Sequence, residues 1–167
     1  EKDKMITSYH EAGHAVVSYF LTTQDPVHQI SIIPRGMAGG YTLYRPDEDS
    51  SHMLKSAMLD RIVTAMGGRV AEKITFDDIS TGASQDISHS SEIARAMVTK
   101  YGMSDKLGPM VFGTDNNEVF LGRDFAQSKE YSEETASIVD GEVKKIIDKG
   151  YNTALEIFRT IRFPSAI

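Results

Sequence analysis

The chain has 167 residues, 40% of them hydrophobic and 25% charged, which suits one ordinary globular domain with a sizeable core. A formal charge of −6 with scattered lysines and arginines argues against a nucleic-acid partner, which requires a concentrated basic surface. The absence of cysteine excludes disulfides, thiolate metal sites and thiol nucleophiles, so any metal must rest on His, Asp and Glu.

The first predicted element is a helix from about Thr7 or Ser8 to Leu21, with a hydroxyl available as N-cap. It carries the run His10-Glu11-Ala12-Gly13-His14. Two histidines four apart on a helix share a face and can reach a single metal, and the glutamate beside the first supplies a base; this is the core of a zinc peptidase. Shuffling a chain with five histidines produces His-Glu-x-x-His about one time in a hundred, so the spacing is strong without being decisive. His10, His14, Val17 and Leu21 fall on one side, and Tyr9, Gly13, Val16 and Phe20 on the other, the pattern of a buried helix. Buried imidazoles require a hydrogen-bond partner or a metal.

From Val27 to Tyr44 the pattern turns to β: Val27-His28-Gln29-Ile30-Ser31-Ile32-Ile33, a break at Pro34-Arg35-Gly36, a Gly39-Gly40 turn, then Tyr41-Thr42-Leu43-Tyr44 before Pro46. A small strand pair or hairpin follows, whose edge either receives an extended peptide or is a structural cap. A second helix is predicted from about Ser51 to Lys73, with Met53, Leu54, Ala57, Met58, Ile62, Ala65 and Met66 as an apolar stripe; its methionines read as core packing. Gly67-Gly68 in that helix costs about 1 kcal/mol per glycine, which implies that another element approaches closely there.

The polar stretch from Thr75 leads to Ser84, which, or a neighbour of which, caps a third helix running to about Tyr101 with Gly102 as its stop; Asp86 lies in its first turn. Residues from Gly102 to Asp124 read as irregular. A last helix, from about Ser132 to Ile161, carries Val139, Val143, Ile146, Ile147, Tyr151, Ala154, Leu155 and Phe158 at helical spacing. Pro164 ends any helix there, and residues 159–167 read as a truncated or appended tail. With no repeat or linker, the expected fold class is one mainly α domain with a small β-hairpin within 27–44.

The chain carries, in order, Tyr9-His10-Glu11-Ala12-Gly13-His14-Ala15, Pro26-Val27-His28 through Ile32-Ile33-Pro34-Arg35-Gly36, Gly67-Gly68-Arg69-Val70-Ala71-Glu72, Ser80-Thr81-Gly82-Ala83-Ser84-Gln85-Asp86-Ile87, Ala96-Met97-Val98-Thr99-Lys100-Tyr101-Gly102-Met103-Ser104, Leu107-Gly108-Pro109 and Phe120-Leu121-Gly122-Arg123. Together, in this order and over roughly residues 7 to 158, these stretches resemble the peptidase domain of the FtsH family of membrane-anchored AAA+ zinc metalloproteases, which includes the mitochondrial i-AAA and m-AAA proteases.

The resemblance implies a zinc ion held by His10, His14 and Asp86, with Glu11 as general base. Three protein ligands leave a position for water, as a catalytic zinc requires. His89, one helical turn past Asp86, is the nearest rival third ligand, followed by Glu72, Asp77 and Asp78. Glu72 either orients a ligand histidine or is only a polar residue at a helix end. His28 and His52 are expected to face solvent or to be hydrogen-bonded.

The expected function is zinc-dependent endopeptidase; a catalytically idle substrate-binding or oligomerisation module of the same fold and an unrelated zinc hydrolase are the alternatives. The sequence has no Gly-x-x-x-x-Gly-Lys-Ser/Thr phosphate loop and no apolar run of the roughly 20 residues that span a bilayer, and Glu1-Lys2-Asp3-Lys4 is no signal peptide. The chain is thus expected to be a soluble proteolytic module, 1–167, without its motor. By resemblance, the full protein binds ATP, forms a homohexamer and degrades unfolded or membrane proteins. It is anchored by upstream segments, with this domain on the cytoplasmic side or its organellar equivalent.

Overall fold

Helix α2, Lys55–Phe76, is the element against which the other three helices pack: α1, Lys2–Tyr19; α3, Ser84–Thr99; and α4, Glu133–Ile161. The computed structural model describes residues 1–34, 36, 39–45, 52–113 and 131–161. Strand β1, Val27–Ser31, pairs antiparallel with β2, Tyr41–Tyr44, and the register slips between Val27 and Gln29. A 3-10 turn, Thr81–Ala83, leads into α3. The mainly α fold with a short hairpin is as the sequence led one to expect.

Two apolar clusters hold these elements. Val17, Val63, Met66, Val70, Ala71, Ala154 and Phe158 join α1, α2 and α4, while Met58, Ile62, Ala94, Met97, Val98, Val139 and Val143 join α2, α3 and α4. Met58 and Met66 are core residues, as their spacing indicated, whereas Met53 is exposed. Removing such side chains from water is the main drive for the bundle, at roughly 1.5–3 kcal/mol for each large one.

The boundaries differ from the expected ones for local reasons. Helix α1 starts at Lys2 rather than Thr7 or Ser8, because Ser8 does not cap it: its Oγ donates to the Lys4 carbonyl at 2.7 Å inside the helix. It ends at Tyr19, where Phe20 and Leu21 donate to the carbonyls of Val17 and Ser18 in a tighter turn. Helix α2 starts at Lys55, not Ser51, and runs past Lys73 to Phe76, closed by Asp77 in the left-handed region (φ 52°) with Lys73 Nζ on its carbonyl and carboxylate. Helix α3 stops at Thr99, short of Tyr101, and Gly102 (φ 60°) turns the chain away. Ser132 caps α4, accepting from the Thr135 N–H at 3.2 Å. No helix among the described residues is long and apolar enough to cross a membrane. The Phe120-Leu121-Gly122-Arg123 stretch, Pro46 and residues 162–167 of the tail lie outside the described residues.

The crossing of α1 and α2 positions the site. A Cβ on Gly67 would lie 2.6 Å from the Gly13 carbonyl oxygen, so the two helices meet backbone to backbone. A Cβ on Gly68 would lie 2.5 Å from His10 Cε1, so the imidazole rests directly on that glycine. This is the close approach implied by Gly67-Gly68.

Candidate metal centre

His10, Glu11 and His14 are buried on α1, and the crossing at Gly13 turns their face towards α2 and the first turn of α3. His10 Nδ1–H donates to Glu72 Oε1 at 2.7 Å, and His14 Nδ1–H donates to the Thr64 carbonyl at 2.9 Å. Both partners only accept, which fixes the tautomers and leaves each Nε2 with its lone pair. Those two Nε2 atoms lie 3.0 Å apart, and Asp86 Oδ2 lies 3.2 Å from that of His10 and 3.5 Å from that of His14.

Three lone-pair donors at such spacing repel unless a cation or proton lies among them. The edges between donors in a tetrahedral zinc site with bonds of about 2.0–2.1 Å would each measure roughly 3.3 Å, so this donor set fits the metal. His10, His14 and Asp86 are the one group of three His, Asp or Glu residues among those described whose ligand atoms all lie within 4.8 Å of one another.

The electrostatics point the same way. Burial alone would lower the proton affinity of His10, but hydrogen bonds to Asp86 and Glu72, and their charge, outweigh it and raise the pKa. Burial alone would raise Asp86; the hydrogen bonds to His10 and His14, and then their charge, instead hold its carboxyl well below the usual carboxylate range.

Around this triad the chain belongs to a recognisable lineage, since residues 1–163 match the family described as Peptidase family M41. The chain belongs to Peptidase family M41. It is 58% identical, over 95% of its length, to the "ATP-dependent zinc metalloprotease FtsH" of Caldicellulosiruptor bescii, covering 26% of that protein. It is also 49% identical, over 96% of its length, to the protein of the same name from Thermotoga maritima, covering 27% of it. The chain therefore spans about a quarter of the length of these curated relatives.

In this M41 domain, Glu72 is almost fully buried beside His10, with Oε1 2.7 Å from His10 Nδ1. His89 is exposed one turn beyond Asp86, and it and the exposed Asp77 and Asp78 lie outside the triad; His28 and His52 are exposed as well. Glu11 Oε2 accepts from Thr42 Oγ1 on β2 at 2.7 Å. Gly40 packs on the same side chain: a Cβ there would lie 3.0 Å from Glu11 Cγ.

The triad opens into a cleft of about 670 Å³, lined on one side by Gly39, Gly40, Tyr41, Thr42 and Tyr44 of the hairpin and on another by Arg61 and Thr64 of α2. Burial, and then the carboxylates of Glu11 and Asp86, push the Tyr44 phenol well above its ordinary range, so it stays a hydrogen-bond donor at neutral pH. Sequence reasoning did not single out Thr42, Thr64 or Tyr44. Thr64 acts through its carbonyl, which carries no side-chain signal, and the strand register that brings Thr42 to Glu11 is not local information.

Proposed function

We propose that this M41 domain is a zinc endopeptidase module in which His10, His14 and Asp86 hold the metal and Glu11 is the general base. The observation that carries this reading is the triad itself: three lone-pair donors 3.0–3.5 Å apart, with both imidazoles locked through Nδ1 and a buried carboxylate beside them. Zinc bound there supplies Lewis acidity, acidifying water and polarising a scissile carbonyl. Glu11 takes the proton of the attacking water on its carboxylate and returns it to the leaving amine nitrogen. Thr42 holds that carboxylate in place, and Glu72 and Thr64 keep the imidazoles aimed. Tyr44 offers a phenolic O–H to substrate in the same cleft.

Strand β2 borders the cleft and, among the described residues, pairs with β1 alone, which suits an extended peptide adding along it. Unstructured polypeptide is the substrate such a cleft takes. The module belongs, on this reading, to an ATP-dependent, membrane-anchored, hexameric protease that degrades unfolded or membrane proteins, as the names of its relatives and the family resemblance suggest. Glu11→Gln tests the central assignment: it is expected to keep stoichiometric zinc and to lower cleavage of unfolded casein by about 10²–10⁴-fold. Undiminished cleavage would remove Glu11 from its role.

A further inference from the structure

One hydroxyl ties the metal-facing side of α1 to the start of α3. Ser80 N–H donates to Glu72 Oε2 at 2.6 Å, and Ser80 Oγ–H donates to Glu72 Oε1 at 3.0 Å. The same Oε1 accepts from His10 Nδ1–H. Ser80 Oγ in turn accepts from the Gly82 N–H at 3.1 Å and so caps the 3-10 turn, Thr81–Ala83, from which α3 and Asp86 emerge. The cap expected for the third helix at or near Ser84 is not made: α3 begins at Ser84 after Ala83 with no side-chain cap, and the 3-10 turn capped by Ser80 leads directly into it. A continuous path runs Gly82 N–H to Ser80 Oγ, Ser80 O–H to Glu72 and Glu72 to His10, with Asp86 four residues past Gly82 on the same rigid turn and helix.

We infer that Ser80 is a positioning residue of the metal centre, which sets the orientation of His10 through Glu72 and the approach of Asp86 through the capped turn. The geometry gives the hydroxyl two tasks. As donor it adds a second Ser80 hydrogen bond to Glu72, whose carboxylate would otherwise keep only the Ser80 N–H and His10 Nδ1–H; as acceptor it fixes the first peptide of the turn. Removing it loosens two of the three ligands at once, although Ser80 touches neither. Threonine retains the hydroxyl and alanine does not, so the pair separates this role from side-chain bulk.

The inference rests on the zinc reading above, and the test keeps the two apart. The intact chain and its Ser80→Ala, Ser80→Thr, Glu72→Gln and Ser80→Ala/Glu72→Gln variants are titrated with Zn²⁺ against a competing chelator at fixed pH, and with Co²⁺ while the visible ligand-field bands are recorded. Ser80→Ala is expected to weaken Zn²⁺ binding about tenfold, the lower end for groups that support a ligand from outside the coordination sphere. It is also expected to alter the Co²⁺ bands, while Ser80→Thr retains the parent values. Because Ser80 acts on His10 through Glu72, the double variant is expected to bind more tightly than the product of the single losses implies. Parent affinity and bands in Ser80→Ala, or a loss confined to the thermal midpoint of the metal-free protein, would overturn the positioning role. A parent chain that binds neither ion would instead overturn the zinc reading.

Discussion

At the scale of single residues, the proposed ligand set makes protons and metal compete for the same nitrogen. The pKa of His10 in the metal-free domain is raised because its carboxylate partners outweigh the burial that would lower it. Its contribution to stability is therefore fully present below the unfolded value of 6.5 and is lost as pH rises through the higher folded value. Asp86 works the other way: its depressed carboxyl stabilises the fold above an unfolded pKa of 3.8, and that stability is lost as pH falls through the lower folded value. Zinc requires His10 without its proton, so affinity rises with pH over the range in which the metal-free form weakens. Thermal midpoints measured with chelator and with zinc at pH 6 and pH 8 are expected to show the chelated protein falling and the zinc-dependent increment growing. An increment independent of pH would contradict the His10 assignment.

The same scale shows what the sequence could reveal. His10, Glu11 and His14 are legible because a four-residue spacing on one helix is local information. Asp86 lies 72 positions beyond His14, and local spacing leaves His89, one helical turn further on, as its nearest rival; the ordered set of family stretches implies Asp86. Glu72 was legible as a candidate but not its partner Ser80, because the hydrogen bonds between them depend on how the turn after α2 folds back.

At the scale of elements, the site depends on two helices touching without side chains between them. Gly67 faces the Gly13 carbonyl, so Gly67→Ala inserts a methyl group where there is no room and forces α1 away from α2. Overpacking of this kind is expected to cost roughly 1–3 kcal/mol and to weaken zinc binding, since His10 and His14 move with α1. Gly141, exposed within α4, has nothing within 4 Å of an added Cβ. Gly141→Ala is expected to stabilise the domain by up to about 1 kcal/mol through helix propensity, leaving zinc affinity unchanged. Chemical denaturation with parallel zinc titration checks both; a Gly67→Ala protein as stable as the parent would mean that the crossing is not rigid. The Gly67-Gly68 pair was readable because two glycines in a helix must be offset by something. Helix ends were less readable: the start of α1 is set by a back-bonded Ser8 and the end of α2 by Asp77 and Lys73, details that periodicity does not register.

At the scale of the whole molecule, α2 serves both apolar clusters, so the core and the candidate metal centre share one scaffold. Its length carries Thr64, Gly67, Gly68 and Glu72, which respectively orient His14, admit α1, seat His10 and hold its Nδ1. Apolar burial thus fixes the distances on which metal chemistry depends, and a ligand-by-ligand view of the site misses that dependence. Binding of zinc is accordingly a property of the folded bundle rather than of the His-Glu-x-x-His segment. The most direct measurement is an anomalous difference map at the zinc edge from crystals of the zinc-loaded chain. The account requires one strong peak about 2.0–2.2 Å from His10 Nε2, His14 Nε2 and an Asp86 carboxylate oxygen. A peak held by His89 in place of Asp86, or none beside the two histidines, would contradict it.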